Sequence, residues 1–320
     1  MSEEFYLDVD HKIATRESFG KALASLQDER IVVLDADLSS STKTDYFKEK
    51  NPGRFIENGI SEADMIGTAA GLAASGKIPV AATFAVFSAG RAYDQIRSSV
   101  AIPNLNVKIV GTHAGITVGE DGASHQMLED LSLMRTLPNM TVLSPSDDLE
   151  TKAIVKHMID YEGPVYLRLS RKKTAGIYKD IGKKELPSFE IGGSVQIGDD
   201  KDVCIFATGD TVEEAIIARS LLMNHNIDAR VVDLYSIKPI DREEIIRCAN
   251  ECKLLISVED HSVIGGLGSA ICEVLCDECP KKLIRLGIQD KFGKSGRAED
   301  LMKLYQIDSG AIAQIIAEIV

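Results

Sequence analysis

Short apolar runs alternate with helix-spaced segments along this chain, and that alternation restricts its fold more than any other feature. IVVLDAD (31–37), IPVAATF (78–84), NVKIVGTH, MTVLSP and PVYLRLS read as buried strands. Between them apolar residues recur at helix spacing, as in Phe19, Leu23 and Leu26 after Thr15-Arg16-Glu17. Further helices are predicted from Glu62, with Ser61 as cap, to about 75, and over about 88–102, 126–137 and 148–161. Connections of this length are too long for hairpins. They imply right-handed βαβ crossovers and a mostly parallel sheet.

The pattern lapses in a Lys-rich stretch with a proline, KKTAGIYKDIGKKELPSF, and then resumes with VCIFATG, ARVVDLYSI and KLLISVED and their helices. The expected fold is therefore two doubly wound, mostly parallel α/β domains, 1–175 and 191–320, joined by a linker over 176–190. A chain of 320 residues can bury two such cores. Its 36 Lys+Arg against 49 Asp+Glu leave a net charge of −13, which argues against nucleic acid as a partner. No apolar stretch nears the ~20 residues that span a bilayer, so no membrane association is expected. MSEEFYLDVD opens acidic, without the features of an export signal, and six cysteines then fit reduced thiols in a cytoplasmic protein.

Ligands of open parallel sheets collect at the carboxyl ends of the strands. Four loops there are polar: 35–41, 57–65, 112–126 and 167–173. The third packs His113, Glu120, Asp121 and His125 among Gly111, Gly115, Gly119 and Gly122. Glycines admit close backbone approach, and His with Asp suits hydroxyl recognition and proton transfer; the plainer reading is a solvated loop. Glu62 alone would read as a carboxylate complementing its helix dipole, and Phe84 and Phe87 as core. Cys248/Cys252 and Cys272/Cys276 share helix spacing, which favours buried thiols over a metal site, and no metal ligands are expected. GGLGSA (265–270) lacks the full dinucleotide fingerprint, and Glu259 and His261 read as structural.

Taken together, ATRESFGKAL, VVLDADLSSST, ENGISEADMIGTAAGLA, ATFAVFS, GTHAGITVGEDGASHQMLEDLSLMRTLPN, SPSD, SRK, VEDHSVIGGLGSA and KFGKSG resemble the transketolase family over nearly the whole chain. VGEDG-x-x-HQ is the most specific string. The resemblance implies a pyrimidine-binding domain followed by the family's C-terminal domain. The family's diphosphate and magnesium signature, GDG with an Asn pair, does not occur. It therefore implies the C-terminal subunit of a split transketolase, in a heterotetramer with two copies of an N-terminal subunit. Thiamine diphosphate would be shared with that partner, which would bind the diphosphate and, for the most part, the Mg²⁺ or other divalent metal. A chain at −13 without a metal-diphosphate loop is independently a poor host for a polyanion.

Carried over position by position, the resemblance implies that Glu62 hydrogen-bonds the aminopyrimidine and drives it to the imino form. Burial can raise a glutamate pKa enough for such proton sharing. Phe84 and Phe87 would hold the ring; the family often adds a tyrosine where this chain has Gly90, and Tyr93 is a candidate to fill that space. Asp37 would lie near the cofactor at the subunit boundary. Asp121 and His125 would read sugar hydroxyls and assist proton movement, with His125 catalytic. Arg16, Ser41, His113 and Arg171 would grip the sugar phosphate. Two alternatives stand beside ketol transfer. One is a subunit like deoxyxylulose-phosphate synthase or the 2-oxoacid dehydrogenase beta chain, towards which RAYDQ (91–95) leans; the other is a non-catalytic scaffold or regulator.

Overall fold

The computed structural model describes residues 7–178 and 186–320; MSEEFY and the middle of the expected linker, 179–185, lie outside the described residues. The first sheet runs in the order Ser236–Lys238, Thr141–Leu143, Val165–Arg168, Lys108–Thr112, Ile78–Phe84, Ile31–Asp35 and Phe55–Glu57. Every neighbouring pair is parallel except the first. The second sheet orders Leu283–Ile288, Leu254–Ser262, Val203–Ala207, Ala229–Asp233 and Val195–Ile197, with only the last strand antiparallel. IVVLD and IPVAATF are buried at every position, as strands covered by helices on both faces must be. The helices Asp148–Asp160 and Arg242–Glu251 start where Asp147 and Asp241 accept the N–H of Glu150 and Glu244.

Several expected elements are corrected. ARVVDLYSI is not one strand: Ala229–Asp233 stays in the second sheet, while Ser236–Lys238 crosses to the edge of the first. The Ser144 N–H donates to the Tyr235 carbonyl at 2.7 Å across that junction, so the two halves share hydrogen-bonded backbone. The helix expected over 88–102 winds instead as two wide π-helical segments, Val86–Arg91 and Ile96–Ala101, around a short α-helical step. Such windings concentrate at functional sites. The helix expected over 126–137 covers only Asp130–Arg135, because the Met127 and Leu128 carbonyls accept instead from the Gly115 and Ser262 N–H groups at 2.9 and 2.8 Å. The polar turn after Asp37 contains short helices, Ser39–Thr42 and Asp45–Lys50.

Buried polar groups line the seam between the sheets. Ser146 Oγ lies 2.8 Å from Glu150 Oε2 and 2.6 Å from Asp233 Oδ2, and the Tyr178 hydroxyl donates to Asp233 at 2.9 Å. Burial pushes both carboxyls up from their ordinary range. Among the described residues no helix is long and apolar enough to cross a membrane.

Candidate active site

Glu62 opens the helix Glu62–Ala74, whose Met65, Ile66, Ala69 and Ala70 pack it onto the first sheet. Ser61 precedes it as expected, but its hydroxyl donates back to the Asn58 carbonyl at 2.6 Å instead of capping the helix. The Glu62 residue is only 2% exposed. Burial alone would leave a carboxylate unbalanced, and the sequence reading supplied no counter-charge. Arg91, at the end of the first π-helical segment, supplies one: its Nη1 lies 2.8 and 2.9 Å from the two Glu62 oxygens. The same guanidinium sits 4.4 Å above the Phe87 ring. The sequence signal for Arg91 is RAYDQ (91–95), a family marker that carries no hint of a partner for Glu62.

Phe84 ends its strand, and Phe87 follows one turn later with its ring 5.8 Å away and 10° from parallel. His113 stacks on Phe84 at 3.8 Å, and His125 meets Phe84 and Phe87 edge-on at 6.4 and 5.6 Å. Among the described residues the ring contacts of Phe87 are with Phe84, His125 and Arg91; Tyr93 packs into the apolar core.

His113 is held at the strand end in a left-handed conformation, φ +54°, which a non-glycine residue adopts only when its surroundings fix it. Its tautomer follows from its neighbours. Arg16 Nη1, which can only donate, lies 3.1 Å from Nε2, so that nitrogen carries the lone pair. The proton is then on Nδ1, which donates to Thr112 Oγ1 at 2.9 Å. Burial foremost, then the charges of Arg16 and Arg171, push the His113 pKa down to about 3, so the ring is neutral.

Arg16 also donates to the Ser41 carbonyl at 2.6 Å, which brings that residue beside the two arginines. Burial and then the nearby Arg171 charge lower the Arg16 pKa, and its buried Nε has no hydrogen-bond partner among the described residues. Two guanidiniums close enough to repel make a site that an anion stabilises. Arg171 Nη1 donates to the Val118 carbonyl at 2.7 Å and lies 3.4 Å from Asp121 and 3.8 Å from Glu120. Asp37 is the exception. It is exposed, with φ +61°, and no hydrogen bond or ion pair joins its carboxylate to the cluster among the described residues.

Two buried acids, Asp35 and Asp130, have no role assigned from the sequence. Asp35 accepts from the Leu38 N–H at 2.7 Å and from the Thr42 and Thr44 hydroxyls at 2.7 and 2.8 Å, which shapes the loop that presents Ser41. An acid ending an apolar strand before a Ser/Thr run was the available signal. Asp130 accepts from Tyr166 and Arg168 beneath the glycine-rich loop. Glu259 accepts the N–H groups of Leu267 and Gly268, and burial raises it to about 7. Stacked rings beside a carboxylate and a guanidinium suit a flat nitrogen heterocycle. Among the described residues no group of three or more His, Cys, Asp or Glu is arranged to hold a metal ion.

Comparison with known proteins supplies the relationship. Residues 11–176 match the transketolase pyrimidine-binding domain and 192–312 the transketolase C-terminal domain. A Methanocaldococcus jannaschii protein described as a transketolase C-terminal section is 49% identical over 95% of both chains. Human transketolase is 37% identical over 96% of this chain, which spans 49% of that enzyme's length. A 1-deoxy-D-xylulose-5-phosphate synthase from Caldanaerobacter subterraneus is 40% identical over 94% of this chain and 48% of its own length. A solved split-gene transketolase, an inactive beta4 tetramer, superposes with TM-score 0.87 at 47% identity, covering 96% of this chain and 98% of its own. On matched domains and on identity across its length, the chain belongs to the transketolase family.

Proposed function

We propose that this chain is the C-terminal subunit of a two-chain, thiamine diphosphate-dependent transketolase that moves a two-carbon ketol unit between sugar phosphates. The observation that carries this reading is one cluster: buried Glu62 under Arg91, the paired Phe84 and Phe87 rings, and Arg16 with Arg171 beside them. An N-terminal subunit would hold the diphosphate and the divalent metal, Mg²⁺ by preference, in a cytoplasmic heterotetramer with two copies of each chain. Thiamine diphosphate, when bound, supplies the carbon nucleophile that carries the ketol unit.

Phe84 and Phe87 would orient the aminopyrimidine by stacking. Glu62 would hydrogen-bond a ring nitrogen and hold a proton there, with Arg91 fixing the carboxylate in the meantime. Asp37 would act only where the partner brings the cofactor to it. Neutral His113, with its proton given to Thr112, brings no charge, so the phosphate would be countered by Arg16 and Arg171. Asp121 and His125 would meet the sugar hydroxyls, with His125 assisting proton movement.

The test is turnover with and without the N-terminal subunit, offering xylulose 5-phosphate or pyruvate as donor. Ketol transfer from the sugar phosphate by the pair supports the proposal. Activity confined to pyruvate assigns the chain to the synthase-like or dehydrogenase-like reading, which similarity to the deoxyxylulose-phosphate synthase favours. Within the transketolase reading, Arg16→Ala removes a charge-assisted contact worth about 1.5–3 kcal/mol. The KM for phosphorylated donors is expected to rise roughly ten- to hundredfold with kcat little changed, because phosphate is gripped equally before and during reaction. Steady-state kinetics on the reconstituted pair checks this.

A further inference from the structure

The segment after residue 190 contributes no ring to the cluster, yet two of its carboxyls reach into the stem of the loop that carries Asp121 and His125. Asp260 Oδ1 accepts the Ile116 N–H at 2.9 Å; its Oδ2 accepts the Thr117 N–H at 3.2 Å and lies 3.0 Å from Thr117 Oγ1. Asp210, immediately before the helix Thr211–Met223, places Oδ2 2.9 Å from the same hydroxyl. Gly115, at φ +79°, makes room, because a Cβ there would sit 2.0 Å from Asp260 Oδ2. The turn held in this way, Ile116–Val118, leads directly to Gly119, Glu120 and Asp121, and its Val118 carbonyl anchors Arg171.

Counting protons makes this contact unusual. A hydroxyl has one hydrogen and donates once. One hydroxyl hydrogen satisfies one acceptor well, so with two carboxyl oxygens within hydrogen-bond reach of Thr117 Oγ1 the arrangement is complete when one carboxyl carries a proton and donates to the hydroxyl oxygen. With both carboxyls ionised, buried lone pairs would face each other uncompensated. We propose that Asp260 and Asp210 are positioning residues for the substrate loop, gripping Thr117 through one proton shared across its hydroxyl. The substrate assignment rests on the function proposed above; the grip does not.

The surrounding charges are accounted for. Arg168 Nη2 donates to the Asp260 carbonyl at 2.7 Å, and its charge is met by Asp130 at 2.9 Å. His261 is buried next to Asp260, and burial pushes its pKa down to about 4, so it is neutral. Glu259 is committed to the Leu267 and Gly268 amides. Lys172, which faces Asp210, is held by Glu214 at 2.9 Å and Glu213 at 3.6 Å, and Lys12 pairs with Glu213 at 2.7 Å. Burial first, and then the Asp210 charge, push Asp260 up to about 7 from an ordinary 3.8, so below that pH Asp260 can carry the shared proton.

Opening the stem exposes Asp260, which then releases its proton. The opening equilibrium should therefore rise up to about tenfold per pH unit while pH lies between the open-state and closed-state values, 3.8 and about 7, and level off above. Hydrogen–deuterium exchange of the full chain at several pH values in that window, corrected for intrinsic rates, reads this from a peptide spanning 115–119. The strand Val203–Ala207 reports global unfolding. Asp210→Asn removes the charge beside Asp260 and offers Thr117 an amide donor that no pH removes, so the rise should level off at a lower pH than in wild type. A flat wild-type profile, or a variant that levels off at the wild-type pH, overturns the proposal. In the reconstituted enzyme the same variant should flatten the dependence of KM on pH relative to wild type, and an unchanged dependence overturns the positioning role. If the pair has no ketol-transfer activity, the proposed function fails while the exchange result stands by itself.

Discussion

Glu62→Gln is expected to lower kcat of the two-subunit enzyme by about 10²–10⁴, the range that a positioned proton-transfer group contributes. Glutamine keeps the shape of the side chain and one oxygen for Arg91, but it cannot hold a transferable proton. The lost charge should cost little stability. Arg91 has a side chain 51% exposed and can turn to solvent, whereas Glu62 is buried at 3%. Turnover with xylulose 5-phosphate, read beside the thermal unfolding of the variant, separates the two effects. Undiminished kcat at wild-type stability would remove Glu62 from the chemistry and favour a scaffold role for the chain.

Asp130→Ala should be the most damaging single change to stability, at about 3–5 kcal/mol, because it strips the partner from a buried cation. Asp130 Oδ2 accepts from the Tyr166 hydroxyl at 2.8 Å and from Arg168 Nε at 2.9 Å. Burial opposes the charge on Arg168, but Asp130 holds its pKa above the ordinary value, so it cannot escape the loss by becoming neutral. The pair sits between the strand Val165–Arg168 and Asp260, where its failure would loosen both halves of the chain. Denaturant unfolding of the purified chain measures the effect. Replacing both partners by Leu and Met should recover most of the loss, since no unpaired charge then remains. A single variant within about 1 kcal/mol of wild type would contradict this account.

Much of the architecture was legible because βαβ periodicity is a local signal. The strands beginning at Ile31, Ile78, Lys108, Thr141 and Val165 and the helices beginning at Thr15, Glu62 and Asp148 all follow from it. Elements set by tertiary contacts were not. Ser236–Lys238 is a strand only because Thr141–Leu143 offers it an open edge, and Phe55–Glu57 is too short to show a period. The π-helical winding around Phe87 and Arg91 has no periodic signature that distinguishes it from an α-helix. In the site, the meeting of Phe84, Phe87, His113, His125 and Arg16 came from family resemblance, since nothing in spacing brings residues so far apart together. The counter-charge on Glu62 and the grip of Asp260 on Thr117 depend on side-chain reach across elements, 29 and 143 positions apart in the chain.

The central claim is that this chain holds half of an active centre, and calorimetric titration tests it most directly. Thiamine diphosphate with Mg²⁺ should bind tightly to the mixture of both subunits, and xylulose 5-phosphate turnover should appear only there. Tight cofactor binding and robust turnover by the purified 320-residue chain alone would contradict it.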